Sequence, residues 1–203
     1  MMRVIVNPAV LPPEALAELK EWLGITTTLD DAPLSSLLAA ALDVCTDFTG
    51  MVPLTSVWEE TLGHSSGAYP CAHTGRWMQP MLGHHHDGWL HAATRPVQQV
   101  NALYVMNPDG SRTALDPASW QAVINPDGTL RIRLVNPAGQ QRLVVNFTAG
   151  MATSWAQLPQ AIHHGIIRLA AHQHRTREAD GAAPLPPASV AALWRPWRQV
   201  RLA

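Results

Sequence analysis

The spacing of apolar positions changes period twice along the chain, and each regime predicts a different kind of element. From Pro13 to Leu23 the period is helical: Leu16, Leu19 and Leu23 share one side, Pro13 suits the first turn, Glu14 sits near the positive end, and Gly24 is a stop. Ahead of it, Val4 to Leu11 reads as an extended apolar arm. A polar link, ITTTLDD, leads to a second helix from Asp31 to Thr49. Its row Leu34, Leu38, Ala41, Leu42, Cys45 and Phe48 faces inward, Asp43 and Asp47 face outward, and Gly50 ends it. Cys45 lies in the apolar row and reads as core packing.

After Pro53 the period falls to two. Val57 to Leu62 and Pro96 to Met106 read as strands, separated by a loop-like stretch, 63–94, with five glycines and six histidines. Further on, Leu130, Ile132 and Leu134 alternate with Arg131 and Arg133, and Leu143, Val145 and Phe147 with Val144 and Asn146. Three related turns, Asn107-Pro-Asp-Gly110, Asn125-Pro-Asp-Gly128 and Asn136-Pro-Ala-Gly139, have type I chemistry and are each predicted to join antiparallel strands.

The helical period returns over Gln157 to Asp180. Ile162, Ile166, Leu169 and Ala170 form a core face, and His164, Arg168, His172 and Arg175 climb the opposite side. Gly165, unfavourable in a helix interior, points to a close backbone approach at a helix crossing. A Pro/Ala linker, GAAPLPPASV, precedes a last short helix from Ser189 to about Gln199 that Pro196 must kink or end.

The fold class is therefore α+β: a small bundle of three to four helices with an inserted antiparallel β-meander. Its segments are an N-terminal arm and first helix (1–30), a core helix (31–56), a β insertion (57–154) holding the His/Gly-rich loop 63–94, a long core helix (155–181), and a linker with a C-terminal tail (182–203). At 203 residues and 47% apolar, the chain buries a substantial core. No run is long and apolar enough to cross a membrane, and the proline-broken start does not form a signal peptide. Two cysteines, Cys45 and Cys71, make no disulfide framework, which suggests a reducing site of synthesis.

The formal net charge of −1 hides an asymmetry. Residues 1–60 carry nine carboxylates against Arg3 and Lys20, whereas residues 131–203 carry nine arginines against Glu178 and Asp180. Such a chain either neutralises itself or pairs with copies of itself.

Two clusters invite a metal reading. Cys71, His73, His84, His86 and His91 are candidate zinc ligands, but their spacing matches no finger and no H-E-x-x-H. Neighbouring imidazoles in extended chain point to opposite faces, so we assign no metal or other cofactor there. His164 and His172 have Arg168 between them, which repels a divalent cation. Neither a G-x-S-x-G elbow nor a phosphate-binding loop is present, and no catalytic residue is assigned. The tail, LWRPWRQVRLA, interleaves tryptophan and arginine, as surfaces that dock on protein or nucleic acid do; its plainer reading is a helix packing Leu193 and Trp197 on its own domain.

In order, LLAAALDVCTDFTG, VWEETL, RPVQQVNALYVMNPDGSRTALDPASW, TLRIRL with LVVNFTAG, LPQAIHHGIIRLAAHQHRTRE and LPPASVAALWRPWRQVRL resemble the head-tail connector (adaptor) proteins of long-tailed bacteriophages and gene transfer agents. The resemblance implies a non-enzymatic structural protein, a homo-oligomeric ring of about twelve copies in the neck of the virion, assembled in the bacterial cytoplasm. Its partners would be the portal protein and a downstream head-closure or tail connector protein, with packaged DNA passing non-specifically through the lumen. It assigns portal docking to Leu193, Trp194, Arg195, Trp197 and Arg198, and a subunit-interface or channel-facing role to His164, Arg168, His172 and Arg175. Truncation after Leu185 is then expected to leave a folded chain that no longer docks. The readings left beside it are a zinc-binding enzyme and a nucleic-acid-binding module.

Overall fold

The computed structural model describes residues 2–63, 88–135, 142–176 and 186–198. The chain opens with β1 (Arg3–Asn7), then α1 (Pro13–Leu23) and α2 (Asp31–Thr49). The β insertion follows as β2 (Ser56–Gly63), β3 (Leu90–His91), β4 (Val97–Met106), β5 (Arg112–Ala114), β6 (Trp120–Ile124), β7 (Leu130–Leu134) and β8 (Arg142–Ala149). Then come α3 (Gln160–Thr176) and α4 (Ala188–Trp194). This is the α+β arrangement of helices with an antiparallel β insertion that the periodicity implies. Among the described residues, no helix is long and apolar enough to cross a membrane.

Helical core residues come from all four helices: Ala15 and Leu19 of α1; Leu34, Leu38, Ala41 and Cys45 of α2; Ile162, Ile166 and Leu169 of α3; Val190 and Trp194 of α4. The two glycine stops are real: Gly24 and Gly50 close α1 and α2 with φ of 72° and 73°. Burial pushes the Cys45 thiol up to about 12, the state of a packing residue and not of a nucleophile. Lys20 ties α1 to α2 through Asp31 at 2.6 Å. The buried side of α3 is wider than the expected stripe, because Gly165, Ile167 and Ala171 are buried as well.

Strands form a five-stranded sheet, β1-β2-β8-β4-β5, and a three-stranded sheet, β3-β7-β6. The N-terminal arm is extended, as expected, but it is not separate from the insertion: Arg3 to Ile5 pair with Glu60 to Trp58 of β2. In β2 and β8, Trp58, Glu60 and Leu62 lie opposite Phe147, Val145 and Leu143, so a period of two places these six on one face. That face joins Leu130 and Ile132 of the other sheet in a second core. Val144 points the other way yet is enclosed, flanked by Thr61 and Tyr104 on the neighbouring strands.

Two expectations need correction. The strands at 130–134 and 142–149 do not pair, since β7 and β8 belong to different sheets; a turn signal fixes a local reversal but not the partner of the strand that follows. Nor is all of 63–94 loop: Leu90 and His91 pair with Ile132 and Arg131 of β7.

The other two turns do form hairpins, β4–β5 and β6–β7, and they are built alike. Asn107 donates to the Ser111 hydroxyl and Asn125 to the Thr129 hydroxyl, both at 2.8 Å. Asp109 and Asp127 accept from the amides of Ser111 and Thr129. The Ser111 hydroxyl holds Asp109 below its ordinary 3.8, and the Thr129 amide, with its hydroxyl, does the same for Asp127. Since the folded values lie below the unfolded ones, this stabilisation is complete above the ordinary carboxylate range and fades as pH falls through the folded values. Carbon-13 titration should show both midpoints below 3.8. Thr129→Val should move Asp127 part of the way back and leave Asp109 unchanged; unshifted midpoints in the wild type would refute this account.

The way in and the way out of the insertion lie side by side. Leu54 bridges Ala152, the Thr55 amide donates to the Ala152 carbonyl at 2.9 Å, and Met151 donates to Val52. Residues 92–97 tie the two sheets and this junction together: Ala92 donates to Leu130, Val52 to Arg95, and Val97 to Gly128. At their centre the fully buried Glu60 carboxylate accepts from the amides of Ala93 at 2.7 Å and Thr94 at 3.1 Å. Gly128 also packs on Pro96, where a Cβ would come 2.6 Å from Cα, so the β6–β7 turn sits directly on the junction.

Candidate docking surfaces

The tail carries all five residues assigned to portal docking. Pro187 precedes α4, and Pro196 sits in the short 3-10 turn Arg195–Trp197 that follows it, as a proline that cannot continue a helix dictates. Trp194 is fully buried. Its indole lies over Gly165 of α3, donates weakly to the Ile162 carbonyl at 3.4 Å, and meets the Phe48 ring at 6.0 Å. A Cβ at position 165 would lie 2.7 Å from Cε2 and closer still to Nε1. Gly165 thus does mark a close approach, but the approaching group is a tryptophan side chain and not the backbone of a crossing helix.

This removes Trp194 from the docking surface, because a side chain that fills the core has no area left for a partner. It also overturns the expectation that truncation after Leu185 leaves the chain intact, since that cut deletes Val190 and Trp194 from the helical core. Leu193 and Trp197 are half-buried against the same core, as the plainer reading of the tail has it. Trp197 also faces the Asn125–Gly128 turn and Pro96 across a cleft of about 510 Å³, so the tail reaches from the helices to the β insertion. Arg195 and Arg198 are exposed. The Arg198 guanidinium lies over Phe48 at 5.2 Å, beside a cleft of about 320 Å³ that Arg3, Asp47 and Arg95 also line.

Along α3, His164 is half-buried and meets the exposed Trp22 ring of α1 edge-on at 5.2 Å. Arg168 and His172 are half-buried and Arg175 is exposed. His163, which the helical row leaves out, has the most specific contacts. Its Nε2 lies 2.8 Å from Glu18 of α1, the Trp155 indole donates to the same carboxylate at 3.1 Å, and the two rings meet edge-on at 4.4 Å. These contacts, with that of Trp22 on His164, bind α1 to α3; of the row from His164 to Arg175, only Arg175 is exposed.

Of the candidate metal ligands, Cys71, His73, His84 and His86 fall outside the described residues. His91 is exposed on β3 beside Arg131. Among the described residues, no three side chains of metal-binding type gather at one point.

One surface was only half visible in the sequence. Arg131 and Arg133 alternate outward on β7, as expected, and pairing puts them on one face with Gln121 and Val123 of β6 and His91 of β3. Trp89, just before β3, lies under both guanidinium groups, at 5.4 and 4.9 Å. Arg133 donates to Gln121 at 2.8 Å, and Arg131 reaches Asn125 at 3.5 Å. Among the described residues neither arginine pairs with a carboxylate. The alternation revealed the row; nothing in sequence placed Trp89 beneath it.

No protein-family profile and no curated protein matches the chain by sequence. Solved structures do match. A chain in the neck of an empty gene transfer agent particle, with C6 symmetry, is 27% identical with a TM-score of 0.71, over 100% of this chain and 98% of that one. One in the virion of a native gene transfer agent particle is 27% identical at 0.68, and one in the neck of the native particle with C12 symmetry is 26% identical at 0.68, with the same coverage. The likeness to neck chains of gene transfer agent particles thus holds in three dimensions and over the full length.

Proposed function

We propose that this chain is a non-enzymatic structural component of the neck of a phage-like particle. In this reading it is an adaptor, assembled in the bacterial cytoplasm, whose copies form a ring joining the portal protein to the next head-closure or tail connector protein. Packaged DNA passes through the ring without sequence-specific contact. The observation that carries the reading is the end-to-end match to neck chains at 26–27% identity. Those chains sit in assemblies of C6 and C12 symmetry, and repetition about an axis needs two unlike surfaces on each copy. The acidic first third and basic last third of this chain supply them.

Portal docking falls to the exposed Arg195 and Arg198, with the outer parts of Leu193 and Trp197. The row His164, Arg168, His172 and Arg175 serves a neighbouring subunit or the channel. Because truncation would unfold the helical core, the test is charge reversal. Arg195→Glu with Arg198→Glu should leave the melting temperature within a few degrees of wild type, since exposed charges contribute little. Capture of the chain by portal-containing particles should fall roughly tenfold or more at low salt. Unchanged capture would overturn the docking assignment.

A further inference from the structure

The outer face of the three-stranded sheet is built for carboxylates. Trp89 lies against the half-buried Arg131 and Arg133 guanidinium groups, at 5.4 and 4.9 Å, and the Arg131 Nε is buried there without a hydrogen-bond partner among the described residues. Gln121 and Asn125 orient the two groups without neutralising them. Residues on adjacent strands of this face are His91, Gln121 and Val123, none of them acidic. These two guanidinium groups, with one residue between them on the strand, have no carboxylate partner among the described residues and form a fork for bidentate partners.

The chain also carries the complement. On α1, Glu14 and Glu21 are exposed, share a stripe at a spacing of seven with Glu18 between them, and have no cationic partner among the described residues. Glu18 itself is engaged by Trp155 and His163. Asp31 and Asp47, by contrast, are already paired with Lys20 and Arg3. Each copy thus holds a basic face on β7 (Arg131, Arg133) and an acidic stripe on α1 (Glu14, Glu21) that lack partners of opposite charge among the described residues.

We propose that the Trp89, Arg131 and Arg133 face of one copy docks on the Glu14 and Glu21 stripe of the next. This deepens the ring reading and rests on it: the two surfaces are unlike, so the contact is heterologous and repeats around an axis. Phosphates of nucleic acid satisfy the same arginines, but the acidic stripe favours a second copy.

The test is a charge swap on the full chain, followed by native mass spectrometry over a concentration series, with thermal melts alongside. Arg131→Glu with Arg133→Glu, and separately Glu14→Arg with Glu21→Arg, should each weaken self-association roughly tenfold or more. Combining all four should restore it. Wild-type association should also weaken with added salt. If the sheet variant folds poorly, Arg131→Gln with Arg133→Gln asks the same question without reversing charge. Oligomers that survive every variant would overturn this interface while leaving the ring reading standing. A wild-type chain that stays monomeric at every concentration would overturn both. Loss of duplex DNA binding without loss of self-association would give the face to nucleic acid and refute the proposal.

Discussion

Trp194→Ala is expected to lower the stability of the whole chain by about 3–5 kcal/mol, the usual cost of deleting a buried large aromatic side chain. Against a typical total of about 5–15 kcal/mol, that is a large fraction. The physical cause is specific: the indole is the part of α4 that fits over Gly165, under the Ile162 carbonyl and against Phe48. Gly165→Ala should destabilise as well, because its new methyl group has no room while the indole is in place. The pair should be strongly non-additive, since the space left by the indole accommodates the methyl. Urea unfolding of the two single variants and the double variant gives the coupling directly. Additive losses would mean that the two residues do not meet as described.

Glu60→Ala is expected to cost about 2–4 kcal/mol, because it leaves the half-buried amide of Ala93 and the buried amide of Thr94 without their acceptor. Glu60→Gln, which keeps one acceptor oxygen, should cost less. The loss should be felt beyond β2, since residues 92–97 connect both sheets to the helical junction. Hydrogen exchange provides a local readout: the Ala93 and Thr94 amides should be protected in the wild type and should exchange rapidly in Glu60→Ala. Stability within about 0.5 kcal/mol of wild type would show instead that this is an ordinary surface position.

These two residues show where sequence reasoning stops. Trp194 stands among arginines near the end of the chain, and the pattern LWRPWR has the look of a docking surface. What decides its role is a glycine 29 positions earlier, and no periodicity joins residues so far apart. Gly165 was recognisable as a position where something must come close, but it pointed to the backbone of a crossing helix and not to an indole. Glu60 was even less visible, since a glutamate in an alternating strand reads as solvated. Only the fold of 92–97 over β2 turns it into a buried acceptor.

The sequence by itself determined the elements whose causes are local. Helices α1 and α2 begin and end where proline, aspartate and glycine dictate, Cys45 sits in the core its row implied, and the two Asn-Pro-Asp-Gly turns close hairpins through their own side chains. The order of segments also carried the likeness to neck proteins, which the solved structures match over the full chain. Tertiary structure alone decided which strands pair, that β7 and β8 go to different sheets, that the arm joins β2, and that Trp194 is core. It also decided that Arg131 and Arg133 flank Trp89. The reason is physical: caps, turns and amphipathic stripes act over a few residues, whereas strand partners and the fit of an indole over a glycine depend on groups that only the folded chain brings together.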